Sequence, residues 1–140
     1  MTVSIFVPRT ESPIETAFVA AIAPRFFALP ALSWKLTAQE SVAQYRADFA
    51  LRARFRAHVF RVAVECDGHD YHGRTADQAQ RDRSRDREFV RLGWTPLRFT
   101  GRELVRDAGR CADEVIEVVL LRALDVIADP DWPIAPKGAA

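Results

Sequence analysis

The chain has 140 residues, 49% of them hydrophobic, and a net charge of +1. That length fits one domain with a real core, since domains most often run to about 100–150 residues. No stretch approaches the roughly 20 consecutive apolar residues needed to cross a bilayer, two cysteines make no disulfide framework, and the near-neutral charge gives no global argument for nucleic acid.

The start, "MTVSIFVPRTESP", lacks a basic first segment, a long apolar stretch and a small-residue cleavage site. No signal peptide is expected, and a cytoplasmic location follows. The next stretch, "ESPIETAFVAAIAPRFF", opens with a helix signature: Ser12 as N-cap, Pro13 at the first helical position and Glu15 at the third. "LSWKLTAQES" reads as a strand, and "YRADFALRA" with "HVFRVAVECDG" as a strand pair rich in aromatic and β-branched residues. "ADQAQRDRSRDREFVRLG" reads as a helix stopped by Gly93. "WTPLRFT" is a short strand in which Pro96 argues for an edge or a bulge. "CADEVIEVVLLRALDVIA" is the clearest helix, with Ala112, Ile116, Val119, Leu120, Ala123 and Ile127 along one stripe. The expected order is α-β-β-β-α-β-α, an α/β (α+β) fold with a mixed sheet. It would form one domain over residues 1–128, with a Pro-rich tail over 129–140.

"FRVAVECDGHDYHG" ends an apolar run in a cluster of carboxylates and imidazoles. Strand alternation puts Glu65 and Asp67 on one face and Val62, Val64 and Cys66 on the other. In the preceding strand Arg46, Asp48 and Ala50 share one face, and Tyr45, Phe49 and Leu51 the other. An antiparallel hairpin turning near Arg56-Ala57 places Asp48 opposite Glu65, with Cβ atoms about 4.5–5.5 Å apart. Carboxylates that close repel unless a proton or a cation lies between them. A divalent ion satisfies them, and oxygen ligands of this kind suit Mg²⁺. The alternative is structural: Asp48 pairs with Arg46 or Arg61, and Glu65 with an arginine of the following helix. A zinc site from Cys66, His69 and His72 is poorly supported, because Cys66 points to the core face and Cys111 lies far along the chain.

The basic residues are nearly all arginine. On the helix after the cluster, Asp82, Arg85, Asp86, Phe89 and Gly93 make a stripe facing the sheet. Arg83, Arg87 and Arg91 lie on the outer side, where with Arg81 they can track phosphates or form a solvated, ion-paired face.

Taken together, Y-x-x-D-F, V-E-x-D-G-x-x-x-H, R-D-x-x-R-D and G-W-x-x-L-R-F occur in that order. The chain from Glu11 to Leu124 resembles the endonuclease-like family catalogued as domain of unknown function 559. That family is related to the very-short-patch-repair (Vsr) endonucleases and to the wider PD-(D/E)XK nuclease fold. The resemblance implies a restriction-endonuclease-like central sheet flanked by helices, cutting DNA with Mg²⁺ or Mn²⁺. It implies Asp48 and Glu65 as metal ligands, with the backbone carbonyl of Cys66 completing the set. Asp67 stands where the wider fold has its lysine, and His72 or Asp67 would handle protons. The resemblance also places the R-D-x-x-R-D element near the site, where Arg85 would hold a phosphate of the nucleic acid or fix the orientation of Glu65. His69 reads as turn chemistry. Glu15 is either a capping residue or the first helix's contribution to the site. The rival readings are a nuclease fold kept as a binding module and, more weakly, an interaction domain built on Trp132 and the Pro-rich tail.

Overall fold

A computed structural model describes residues 1–7, 12–67, 75–129 and 131. The elements are β1 (Val3–Phe6), α1 (Pro13–Phe27), β2 (Ser33–Val42), β3 (Tyr45–Phe55), β4 (His58–Asp67), α2 (Ala76–Arg91), β5 (Trp94–Thr100) and α3 (Gly101–Ala128). The strands form one sheet in the order β1-β2-β3-β4-β5. β2, β3 and β4 are antiparallel neighbours, while β1 runs parallel to β2 and β5 parallel to β4. The chain order forces that mixture. Tight turns join β2 to β3 and β3 to β4, whereas helices carry the chain from β1 to β2 and from β4 to β5, and parallel neighbours need such crossovers. The β3–β4 turn falls at Arg56-Ala57, as expected, with Phe55 paired to His58.

The helices cover both faces, as an α/β architecture requires. On one side α1 and α3 pack Phe18, Ile22, Phe26, Leu104, Val115 and Val119 against Trp34, Leu36, Phe49, Leu51, Val62 and Val64 of the sheet. On the other, α2 seals a smaller cluster with Phe89, joined by Ala50, Ala63 and Trp94. Arg25 of α1 holds Asp113 of α3 at 2.6 Å and ties the two helices together. Pro96 lies on β5, an edge strand, where a missing donor is tolerated.

Four details depart from the sequence-based expectations. A strand, β1, precedes the first helix. α3 begins at Gly101, where Thr100 and Glu103 form a capping box, and it kinks at Asp107, whose carboxylate then caps Arg110 N–H at 3.0 Å. Along α3, Val126 is buried and Ile127 is exposed, because the stripe continues from Val115 through Val119 and Ala123 at helical spacing. Tyr45, which alternation groups with Phe49 and Leu51, packs instead on Phe89 of α2, its ring centroid 6.0 Å away.

Candidate active site

The site forms where β3 and β4 part. Their register ends at Phe49 with Val64, so Asp48 and Glu65 are the first residues beyond the ladder. The Asp48 carboxylate accepts the main-chain N–H of Cys66 at 2.7 Å. A side chain thus satisfies a backbone donor at the end of the ladder, as buried main-chain groups require. This bond holds Asp48 beside β4 and within hydrogen-bonding reach of Glu65.

Glu65 is 4% exposed. Arg85 of α2 donates from Nη2 to its Oε1 at 2.6 Å, and from the same nitrogen to the Arg46 carbonyl at 2.6 Å. The Arg85 guanidinium also lies 5.6 Å from the ring centroids of Tyr45 and Phe89. Arg98 of β5 stands next to Glu65 in register. It is held by Asp82 at 3.7 Å and Asp86 at 3.2 Å. Burial is the largest influence on Glu65 and raises its carboxyl. Arg85 and Arg98 pull it down and Asp48 pushes it up, leaving it at about 7. A carboxyl poised near neutrality beside a second carboxylate is a common mark of a functional site.

Glu15 is buried at the start of α1 and accepts from Ser12 Oγ at 3.0 Å and from Gln39 Nε2 at 2.8 Å. Ser12 caps the helix by accepting Glu15 N–H at 3.3 Å, so capping and orientation of the carboxylate coexist. The Cys66 thiol reports how these groups converge. Burial raises it first, and Asp48, Glu15 and Glu65 follow in that order. Carboxylates from α1, β3 and β4 therefore all act on one residue, whose side chain packs on the core face.

Among the described residues, no three His, Cys, Asp or Glu side chains are gathered closely enough to hold a metal by themselves. The donor set fits a hard cation that keeps much of its water. Two adjacent carboxylates, one raised towards neutrality, offer hard oxygen ligands, and Mg²⁺ is usually bound by one or two carboxylates.

Asp67 ends β4 beside Thr100 of β5. His69, His72 and the tail from residue 132 lie outside the described residues. Arg85 faces the sheet and is committed to Glu65, while Arg81, Arg83, Arg87 and Arg91 lie on the exposed side of α2. There Arg91 pairs with Glu88 at 3.1 Å and Arg87 donates to Ser84 at 3.0 Å. Gln39 was not singled out in the sequence, and Arg98 only as part of the G-W-x-x-L-R-F motif. Arg98 could have been found from the alternation that puts it beside Glu65. Gln39 could not, because its place depends on a left-handed backbone at φ 53° that no local pattern announces.

A family model, REase_MTES_1575, of a restriction-endonuclease-like family, matches residues 26–119. The matched span is more than half of the chain and includes Asp48, Glu65 and all of α2. No curated protein and no solved structure matches.

Proposed function

We infer the function from one premise: the chain belongs to the restriction-endonuclease-like family REase_MTES_1575. On that premise it is a metal-dependent endonuclease that hydrolyses phosphodiester bonds of DNA. The sequence motifs favour a place near the Vsr-like branch of the PD-(D/E)XK nucleases. The observation that carries the reading is the pairing of Asp48 with Glu65 at the point where β3 and β4 separate.

Asp48, Glu65 and the Cys66 carbonyl would hold Mg²⁺ or Mn²⁺. When bound, that ion would polarise the scissile phosphate and lower the pKa of the attacking water. The chain's own groups supply the rest. Cys66 N–H fixes Asp48, and Arg85 fixes the orientation of Glu65 while offering a positive charge to an incoming phosphate. Asp67 or His72 takes up the proton from water, in place of the lysine of the wider fold. Glu15, held by Gln39, adds negative potential behind the pair. The exposed arginines of α2 contact the nucleic-acid backbone.

A plasmid-nicking assay tests the reading. The wild type should nick on addition of Mg²⁺ or Mn²⁺ and not in EDTA, and Asp48→Asn should bind DNA without cutting it. Equal nicking by Asp48→Asn would refute the site. Two observations favour a second reading, a nuclease fold kept for binding. Glu65 is already engaged by Arg85 at 2.6 Å, and no lysine stands at Asp67. That reading requires DNA affinity with no cleavage in either metal.

A further inference from the structure

β2 and β3 exchange faces of the sheet at one pair of residues. Trp34, Leu36, Phe49 and Leu51 pack on the side of α1 and α3, with Ala38 against them, whereas Val42 and Ala47 lie in the α2 cluster. Strand alternation would keep position 38 with 42, and 47 with 49. The exchange falls between two register pairs, Ala38 with Phe49 and Glu40 with Ala47. Gln39 and Asp48 are the residues left between them.

Gln39 carries this break. Its backbone is left-handed at φ 53°, a conformation that crowds any residue with a Cβ. Two other residues besides glycine share it among those described, Ala43 and Arg56, and both lie in hairpin turns. Gln39 lies inside a strand. Its Oε1 is also buried without a hydrogen-bond partner, a second cost at the same residue. Outliers of this kind gather at functional sites, where the surrounding structure holds them in place.

The other end of the amide shows what the outlier achieves. Gln39 Nε2 donates to Glu15 Oε1 at 2.8 Å, while Ser12 Oγ donates to Glu15 Oε2 at 3.0 Å. Glu15, buried at the start of α1, is thus held by both oxygens. Gln39 therefore links two carboxylates of the candidate site, bonding Glu15 and standing across from Asp48. After burial, Asp48 and Glu15 are the strongest influences raising the Cys66 thiol, so the two converge there. Among the described residues no three acidic, histidine or cysteine side chains come close enough to share one ion. Glu15 can reach a cation held by Asp48 and Glu65 only through water, and Mg²⁺ usually keeps several of its waters.

We propose that Gln39 is a positioning residue of the cation site. Its left-handed backbone turns the amide onto Glu15, and Glu15 so held accepts a hydrogen bond from water carried by the cation. This role rests on the cation-site reading above and adds to it the residue that orders the ion's outer shell.

Mn²⁺ binding to the full chain is read by calorimetry without DNA, and stability by urea unfolding in EDTA. The wild type should bind Mn²⁺ saturably, and Asp48→Asn should not. Gln39→Gly removes the amide but frees the backbone, so it should unfold near the wild-type urea midpoint. It should nevertheless bind Mn²⁺ about tenfold more weakly, as loss of an outer-shell partner does. A merely structural residue would not separate affinity from stability in this way. Glu15→Gln should weaken binding to a similar extent, and Gln39→Gly should add nothing in that background. Should Gln39→Gly unfold early, Gln39→Asn replaces it, since asparagine accepts the same backbone but is one methylene short of Glu15. Wild-type affinity in the Gln39 variant, or a further loss on combining it with Glu15→Gln, overturns this proposal alone. Equal Mn²⁺ binding by the wild type and Asp48→Asn, or none by either, overturns the cation site and this proposal with it.

Discussion

Cys66 N–H donates to the Asp48 carboxylate at 2.7 Å, immediately beyond the last β3–β4 pair, Phe49 with Val64. Asp48 therefore serves two purposes, closing the strand end and facing Glu65. Removing the carboxylate relieves its repulsion of Glu65, but alanine also leaves the Cys66 N–H without an acceptor, a cost of about 1–3 kcal/mol. Asparagine keeps an acceptor oxygen and loses the charge. Asp48→Asn should unfold within about 1 kcal/mol of the wild type in urea, since a net hydrogen bond contributes about that much. Asp48→Ala should fall below it, and neither should nick DNA. Equal stability of the two variants would show that the Cys66 bond contributes nothing.

Arg85 is the next group to test. It is the cation nearest Glu65 and the strongest influence holding that carboxyl down against burial. In Arg85→Met the Glu65 carboxyl should titrate above its present value of about 7. Carbon-detected NMR of the side chain would read the change. The stability lost should be larger at pH 8, where the wild-type Glu65 is largely ionised against Arg85, than at pH 5, where it is protonated and gains little from that charge. A Glu65 titration unchanged by the substitution would mean that Arg85 does not fix this carboxylate.

The same carboxyl sets a pH dependence. Its folded value of about 7 lies above the ordinary 4.5, so the folded chain holds the proton more tightly than the unfolded one. Between those values the native state carries more bound protons, and stability falls as pH rises. The decline from this one group is at most about 1.4 kcal/mol per pH unit, and it levels off above pH 7. Glu65→Gln should flatten that part of the stability curve, measured by urea unfolding from pH 4.5 to 8. An ion bound to ionised Glu65 would act oppositely, so added Mg²⁺ should stabilise the wild type more at pH 8 than at pH 6. A parallel curve in Glu65→Gln would assign the slope to other groups.

Much of this architecture was legible because its signals are local. Ser12, Pro13 and Glu15 mark the start of α1, while aromatic residues mark β3 and valines mark β4. The pairing of Asp48 with Glu65 follows from a turn at Arg56-Ala57 and from strict alternation. The rest depends on distant partners. β1 is four residues long and, among the described residues, pairs only with β2, which lies across a helix in sequence. The first turns of α3 contain two glycines and no continuous apolar stripe, so only the Thr100–Glu103 box could have disclosed them. Tyr45 leaves its alternation because Phe89, more than forty residues later, offers an aromatic surface. Arg85 was legible as an inward residue, but its choice of Glu65 over phosphate is a tertiary fact.

The exposed side of α2 gives the last prediction. Arg83, Arg87 and Arg91 share the outer side of the helix and are exposed, as is Arg81, while Asp82, Arg85 and Asp86 are occupied towards the sheet. If the outer row lies along a duplex, each phosphate contact releases condensed counterions, and log affinity falls with log salt at about −0.9 per contact. Arg83 and Arg87 are four residues apart and share a helix face, so their effects should appear together. Replacing both with glutamine should weaken binding to all sequences alike and flatten the salt slope by about two units. Arg91 should contribute less, since Glu88 competes for it at 3.1 Å. Fluorescence anisotropy with labelled duplex and single strands across a salt series, in EDTA, measures both quantities. A wild type whose affinity does not respond to salt would make this row a solvated face, and the nucleic-acid reading of α2 would fall with it.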